Sequence, residues 1–179
     1  MSKGYIYAII ASVMLLTLPT VLIRCFYPYG RRPSTVAGMI TGMDAFALSH
    51  NGWLPKSDFG PYEALRQLYA SNCTALELAG ITGNAALMEK ALTTGGVIDS
   101  NVTSWVYIQG FKSDDPQNLC VLWESRPGFS TDGRRTLSHG HLAIFLSGCW
   151  TNIPSSHWDT FVEAQANLRA NVLAKRAVR

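Results

Sequence analysis

The sequence predicts an α+β protein in which an N-terminal transmembrane helix precedes further helices, a four-stranded antiparallel β-meander and a C-terminal amphipathic helix. Three observations lead to this prediction. The first 26 residues are mostly apolar, apolar side chains then recur at helical spacing to about residue 93, and short aromatic and β-branched runs follow Gly95 and Gly96. Because helices and strands occupy separate parts of the chain, we expect the helices to cover one face of a sheet.

The N-terminal segment, residues 1–26, is expected to be a transmembrane anchor. Nineteen consecutive residues from Tyr5 to Ile23 carry no charge. As a helix they would span about 28 Å, close to the thickness of the hydrocarbon core of a bilayer. A cleaved signal peptide is the main alternative, but no small-residue cleavage site follows the apolar run, so we expect the anchor to stay on the chain.

One side of this span carries small residues, which let helix backbones approach each other closely in lipid. The four positions are Gly4, Ala8, Ala11 and Ser12. Other transmembrane subunits and the lipid bilayer are therefore the partners that we expect.

The charges are unevenly distributed along the chain. Residues 1–35 carry four basic and no acidic side chains, residues 36–168 carry seven basic and twelve acidic ones, and residues 169–179 carry four basic ones. An acidic body lacks the basic face that nucleic-acid binding requires, so no nucleic acid is expected as a partner. The three arginines after the span outweigh Lys3 before it, and this count alone predicts a cytoplasmic body.

After the span, residues 27–35 contain two prolines and a glycine and are expected to form a linker that ends the membrane helix. Ser34 is placed to cap a second helix that continues through about Ser49. Helical patterns return at about 61–71 and at about 84–93.

Short runs rich in aromatic and β-branched residues follow, separated by turn residues. They predict strands at 103–109, 119–125, 134–139 and 141–147. Because the links are short, the strands should pair antiparallel in chain order. Gly140 lies between the last two strands and predicts a two-residue hairpin turn. These helices and strands make up an α+β domain assigned to residues 36–149.

Residues 150–179 are assigned to a C-terminal helical extension. Ser156 and Asp159 have the spacing of a capping box, which predicts a helix from about 157 to 177. Such a helix can dock on its own sheet, on a partner or on the lipid interface, and its composition does not choose among them. Aromatic residues beside the preceding Pro-Ser loop are candidates for a partner interface, namely Trp150, Trp158 and Phe161.

Three stretches carry a resemblance to a known family: "ALSHNGWLP" from residue 47, "SWVYIQGFKSDDPQNLCVLWES" from residue 104 and "DGRRTLSHGHLAIF" from residue 132. They resemble the type IV pilin-like and pseudopilin-like proteins of planctomycete and verrucomicrobial bacteria, over about residues 1–147. The matching positions of the family's closing phrase are Asp132, Gly133, Arg134, Leu137, Gly140 and His141. The resemblance implies a pilin-like domain on the periplasmic side of a bacterial inner membrane, against the arginine count.

The departures from that family matter for function. Ile9 stands where the family's leader has the Glu that helps filament assembly, and His139 stands where the closing phrase has Asp. The first helix is also interrupted at Pro28 and Gly30, and the tail from Trp150 onward has no counterpart in the family. These differences favour a subunit that stays in the membrane over a filament subunit.

His139 and His141 flank Gly140 and raise the question of a metal or catalytic site. On a strand they would share one face and could chelate a metal, but a zinc site needs at least a third ligand. At the corner of the predicted hairpin they would diverge, and we expect this structural role. Ser130 and Ser138 lack the frame of a nucleophile elbow, so no catalytic residue and no cofactor are predicted.

Two further features leave alternatives open. The four cysteines lack CxxC spacing, which excludes zinc-ribbon and thioredoxin-type sites, and a bridge within Cys73, Cys120 and Cys149 competes with free thiols. Asp114 and Asp115 fit either a calcium-binding loop or, as we expect, a solvated turn.

Together these observations predict a non-enzymatic, single-pass membrane protein with a pilin-like domain. Its expected role is that of an accessory structural subunit in a larger membrane complex, for example an energy-transducing one. A minor pseudopilin-like component of a secretion or surface-fibre apparatus is the alternative, and a metal-dependent hydrolase is the third hypothesis.

Overall fold

The computed structural model describes residues 17–33 and 35–177, and within these ranges it contains six helices and one four-stranded antiparallel sheet. The α+β class predicted from the sequence is therefore confirmed. Helix α1 includes residues 17–26, and the other helices are α2 (Thr35–Ser49), α3 (Pro61–Tyr69), α4 (Ala75–Ala79), α5 (Ala85–Thr94) and α6 (Trp158–Ala177). Ser34, the predicted cap of α2, lies outside the described residues.

Helix α2 packs against α3 and α4 through a buried stripe that includes Met39 and Phe46, and α5 packs on α4. Two glycines of α2 let it closely approach α4 and Cys73, which lies two residues before α4. A Cβ atom built on Gly38 would lie 1.9 Å from a carboxylate oxygen of Glu77, and one on Gly42 would lie 2.0 Å from the sulfur of Cys73. Close helix packing thus depends on the missing side chains at both positions.

Helix α4 was not predicted, because five residues are too few to show a helical period. Its start nevertheless carries a capping box. The hydroxyl of Thr74 accepts a hydrogen bond from the backbone N–H of Glu77, and the carboxylate of Glu77 accepts one from the N–H of Thr74. These bonds satisfy two N–H groups that a helix start otherwise leaves open.

The sheet is a meander in the order β1-β2-β3-β4, with every neighbouring pair antiparallel. Its strands are β1 (Trp105–Tyr107), β2 (Cys120–Glu124), β3 (His141–Phe145) and β4 (Trp150–Ile153). The predicted meander is therefore confirmed, but its fourth member is β4. This strand opens the segment that the sequence assigned to a helical extension.

The predicted strand at 134–139 is wrong. Arg135 forms only an isolated bridge with Phe129, and the N–H of Thr136 donates to the carbonyl of Gly128 at 2.8 Å. The N–H of Arg135 donates instead to the carbonyl of Phe26, at the end of α1. The backbone of this segment is thus engaged by its own loop and by α1, which leaves it unavailable to a neighbouring strand.

The sheet lies between two helical layers. On one face, the indole N–H of Trp105 donates to the carbonyl of Glu77 in α4 at 2.8 Å. On the other face, Trp123 packs edge-on against Trp158 of α6, with 6.0 Å between the ring centroids. Trp105 and Trp123 lie on opposite faces, because Trp123 pairs with Val106, the neighbour of Trp105.

Of the three alternatives for the last helix, the structure has α6 docked on its own sheet. The ring of Phe161 lies 6.1 Å from that of Phe145 in β3. Gln165, which is 8% exposed, accepts a hydrogen bond from the N–H of Cys120 at 2.8 Å and donates to the carbonyl of Asn118 at 3.1 Å. A 3-10 turn that contains Ser156 precedes α6, and the Ser156 hydroxyl contacts the ring of His157.

Candidate functional site

The described part of α1 has an exposed apolar surface. All ten residues from 17 to 26 are exposed. The large apolar ones are Leu18, Val21, Leu22, Ile23 and Phe26, each between 48% and 61% exposed. At about 100° per residue these five side chains spread over roughly 200° of the helix circumference, which is wider than the stripe of an ordinary surface helix.

Most of the predicted span, residues 5–16, lies outside the described residues, and so do Gly4, Ala8, Ala11 and Ser12. Within 17–33 and 35–177, no helix has both the length and the apolar character needed to cross a bilayer.

The linker after α1 is fixed to a segment that we call the junction loop, residues 126–137. The N–H of Arg135 donates to the carbonyl of Phe26 at 2.8 Å, and the N–H of Arg32 donates to the carbonyl of Asp132 at 2.8 Å. The Tyr27 hydroxyl donates to the carboxylate of Asp132 at 3.2 Å. The exit of α1 is therefore held on both sides of the linker, which the sequence did not predict.

Arg32 attaches the linker to the helical layer. Its guanidinium donates to the carbonyls of Gly80 and Gly83, each at 2.8 Å, and the residue is only 6% exposed. Burial lowers the pKa of Arg32, and the nearby charge of Glu124 acts in the opposite direction. This role of Arg32 is not predictable from the sequence, because Arg32 stands in a polar linker beside a second arginine.

Glu124 at the end of β2 is fully buried and is surrounded by donors. Its carboxylate accepts hydrogen bonds from the hydroxyl of Thr82 at 2.6 Å, the hydroxyl of Ser104 at 2.8 Å and the N–H of Ile81 at 3.0 Å. Burial raises the pKa of Glu124 to about 7, against these hydrogen bonds. A carboxyl group enclosed in this way joins β2 to the segment after α4 and is out of reach of a substrate.

The two histidines lie before and within β3, and the predicted hairpin corner at Gly140 is wrong. His139 is exposed, with a φ of +44°. The ring of His141 stacks on Trp158 at 4.0 Å, and its Nδ1 lies 3.2 Å from the carbonyl oxygen of Glu124. Gly140 is buried, and a Cβ built there would lie 1.9 Å from the side-chain oxygen of Asn152.

A metal site at these histidines would need further ligands. No group of three or more histidine, cysteine or acidic side chains with metal-binding geometry occurs in the part of the chain that the structure describes. His141 acts as a packing residue between β3 and α6.

The interface candidates near the C-terminus differ in exposure. Trp150 is 51% exposed on the edge strand β4 and borders a cavity of about 220 Å³ together with Thr131 and Asp132 of the junction loop. Trp158 and Phe161 are half-buried, with rings 5.5 Å apart, between α6 and the sheet. Trp150 therefore offers more free surface than the other two.

All four cysteines are free thiols, so the structure shows the free-thiol alternative and not the disulfide. Cys73 and Cys120 are buried, and burial raises the pKa of each thiol to about 12. Cys25 and Cys149 are exposed.

A second surface feature is a groove of about 690 Å³ between α6 and the loop that contains Asp115. Lys112 and Arg176 lie over the ring of Trp53, at 4.8 Å and 5.0 Å from its centroid. Arg176 also pairs with the carboxylate of Asp115, which accepts a hydrogen bond from the N–H of Lys112 at 2.7 Å. The predicted turn is present and Asp114 is exposed, but the prediction of a solvated side chain is wrong for Asp115, whose side chain is 12% exposed and already has a cation and a donor.

Comparison with known proteins found no match among family models, curated proteins or solved structures. The resemblance to pilin-like proteins stays a prediction.

Proposed function

We propose that this chain is a non-enzymatic, single-pass membrane protein whose α+β body is an accessory structural subunit of a larger membrane complex, for example an energy-transducing one. The observation that carries the proposal is the exposed apolar surface of residues 17–26 beside a well-packed body. Apolar surface of this kind is unfavourable in water and is buried favourably in a bilayer. As a helix, the uncharged stretch from Tyr5 to Ile23 would be long enough to cross.

The attachment of the linker supports a structural role. Hydrogen bonds at Phe26, Tyr27 and Arg32 hold the end of α1 against the junction loop. A body fixed to its anchor presents its surfaces to neighbours in a constant orientation. Such an arrangement suits a subunit of an assembly better than a domain on a flexible tether.

The buried polar groups give no support to catalysis. Glu124, the carboxyl group whose pKa burial raises to about 7, is enclosed by hydrogen-bond donors. His141, the candidate base, is stacked on Trp158. In neither case does the group point into a cavity together with a nucleophile, which is the usual arrangement of a catalytic site.

The small-residue side of the span is where we expect the partner subunits to bind. Replacing Ala8 and Ala11 together by Leu should release co-purifying membrane proteins in mild detergent, because the backbones can no longer approach. The matched control is Ile6→Leu with Val13→Leu, which helical spacing would place on the opposite side of the span. If both double variants retain the same partners as the unchanged chain, this surface does not hold the complex together.

We further propose, from the resemblance in the sequence, that the body is on the periplasmic side of a bacterial inner membrane. Exposed Cys149 provides the test in a Cys25→Ser background, because the two remaining thiols are buried. A membrane-impermeant maleimide should label Cys149 in intact spheroplasts. Labelling only after lysis would put the body in the cytoplasm, as the arginine count predicts.

A minor pseudopilin-like component is the second candidate, favoured by the antiparallel meander that follows the helices in chain order. In that case the chain should appear in the sheared surface-fibre or secretion-apparatus fraction. The variant Ile9→Glu, which restores the carboxylate of the family's leader, should increase its share there. If the chain is absent from that fraction and Ile9→Glu does not increase the amount found there, the first candidate is favoured.

A further inference from the structure

The junction loop lies beside the C-terminal end of α1. The N–H of Arg135 donates to the carbonyl of Phe26 at 2.8 Å, and Phe26 is the last helical residue of α1. Asp132 accepts from the hydroxyl of Tyr27 and from the N–H of Arg32. If α1 is anchored in a bilayer, as proposed above, these bonds bring the loop to the headgroup layer.

The loop and the adjoining linker expose basic side chains. Within residues 126–137 three arginines stand against one acid, Asp132. Arg126, Arg134 and Arg135 are all exposed, and Arg31 of the linker adds a fourth exposed cation. The acid is already engaged, since its carboxylate accepts from Tyr27 and from the N–H of Arg134 at 3.1 Å. The surface is therefore positively charged although the body as a whole is acidic.

An apolar side chain stands among these cations. Leu137 is 97% exposed, which makes it the most exposed of the large apolar residues in the described ranges. Trp150, 51% exposed, shares a cavity with Asp132 of the same loop. Basic residues around an exposed Leu and a nearby Trp are the composition that binds the interface of anionic membranes, where arginines meet phosphates and apolar side chains enter the acyl boundary.

We propose that the junction loop binds the headgroup layer of an anionic phospholipid bilayer, with Arg134 and Arg135 at the phosphates and Leu137 inserted below them. This inference rests on the proposed function, because α1 must hold the body at the membrane. The four exposed arginines favour an anionic lipid over a zwitterionic one, and their place beside the exit of α1 favours lipid over a protein partner.

The test uses the full chain in vesicles, with Cys25→Ser and Cys149→Ser to leave only buried thiols, and Leu137→Cys carrying an environment-sensitive fluorophore. We expect a blue-shifted emission that lipid-borne quenchers reduce in phosphatidylcholine vesicles containing phosphatidylglycerol, and a weaker effect in phosphatidylcholine alone. Arg134→Gln with Arg135→Gln keeps the backbone bonds and should lower the ratio of inserted to free loop about 25-fold, at about fivefold per arginine near an anionic surface.

Leu48→Cys is the matched control. Leu48 is 88% exposed and lies about 20 Å along α2 from the linker, so its probe should report water in both kinds of vesicle. Circular dichroism of each labelled chain checks that the body is folded.

The outcomes separate the inference from the function on which it rests. A chain that resists alkaline extraction while the probe at position 137 reports water in both lipids overturns the inference alone. A chain that alkaline washing removes overturns the anchor and the inference with it. Equal insertion in both lipids, or shielding that appears only in native membranes with their proteins, overturns the assignment to anionic lipid.

Discussion

Replacing Glu124 by Gln should remove most of the pH dependence of stability between about pH 5 and about pH 8. Burial raises the pKa of this carboxyl from its ordinary value of 4.5 to about 7. The folded protein therefore keeps a proton that the unfolded chain releases. The stabilising contribution is fully present below the ordinary pKa and is lost as the pH rises through the folded value.

The size of the effect follows from the gap between the two pKa values. The pKa of this carboxyl group is 4.5 in the unfolded chain and about 7 in the folded protein. As the pH rises across that range, the free energy of unfolding falls by about 3 kcal/mol. Gln can keep the local bonds, because its oxygen can accept from the N–H of Ile81 and the hydroxyl of Ser104. Its amide then faces the Thr82 hydroxyl, which can rotate to accept.

Urea unfolding of the full chain in detergent micelles, followed by tryptophan fluorescence, measures this. We expect Glu124→Gln to match the unchanged chain near pH 4 and to exceed its unfolding free energy by up to about 3 kcal/mol near pH 8. Glu63→Gln is the control, because the hydrogen bond from Arg66 lowers the pKa of Glu63 and moves its titration below this range. If the unfolding free energy of the unsubstituted chain stays constant or rises from about pH 5 to about pH 8, the reasoning is refuted.

The midpoints of the same urea unfolding curves measure the effect of three further substitutions on stability. Gly42→Ala should destabilise by about 1 to 3 kcal/mol, because its Cβ would meet the sulfur of Cys73, and adding Cys73→Ala should cost less than the sum of the two changes. Gln165→Leu should cost about 1 to 3 kcal/mol by leaving the buried N–H of Cys120 unpaired and removing the donor to the Asn118 carbonyl, whereas exposed Asn167→Leu should change stability by less than about 0.5 kcal/mol. Arg32→Met should cost about 2 to 4 kcal/mol, because two glycine carbonyls lose their charged donor; a loss under 1 kcal/mol would contradict the role of Arg32 as an attachment.

The elements with a clear period or clear punctuation were predictable from the sequence. Helix α2, with its apolar stripe, has the predicted C-terminal residue, Ser49. Strands β1 to β3 lie within predicted strands, since aromatic and branched residues cluster there between turns. These features are local, and local sequence reports them well.

The wrong and missing strand predictions have long-range causes. Residues 134–139 have a strand-like composition, but their backbone bonds go to Phe26 and to Gly128. Strand β4, with the sequence WTNI, is an exposed edge strand with too little apolar alternation to predict. Strand β4 forms because it pairs in register with β3, for example His141 with Ile153.

The candidate site was predictable only in part. The apolar character of residues 17–26 is visible in the sequence. The burial of Arg32 and Glu124 is not, because the two residues are far apart along the chain and each reads as an ordinary surface charge. The exposure of Leu137 was also missed, since a place inside a predicted strand implied partial burial.

The fixed exit of α1 has a mechanical consequence. If α1 anchors the chain in a bilayer, as proposed above, a change in its tilt rotates the body with it, because both ends of the linker are bonded to the body. Over the roughly 20 Å length of α2, a tilt of about 10° displaces the far end by about 4 Å. A neighbouring subunit that gripped this end would sense bilayer thickness through the angle of a helix that it never touches.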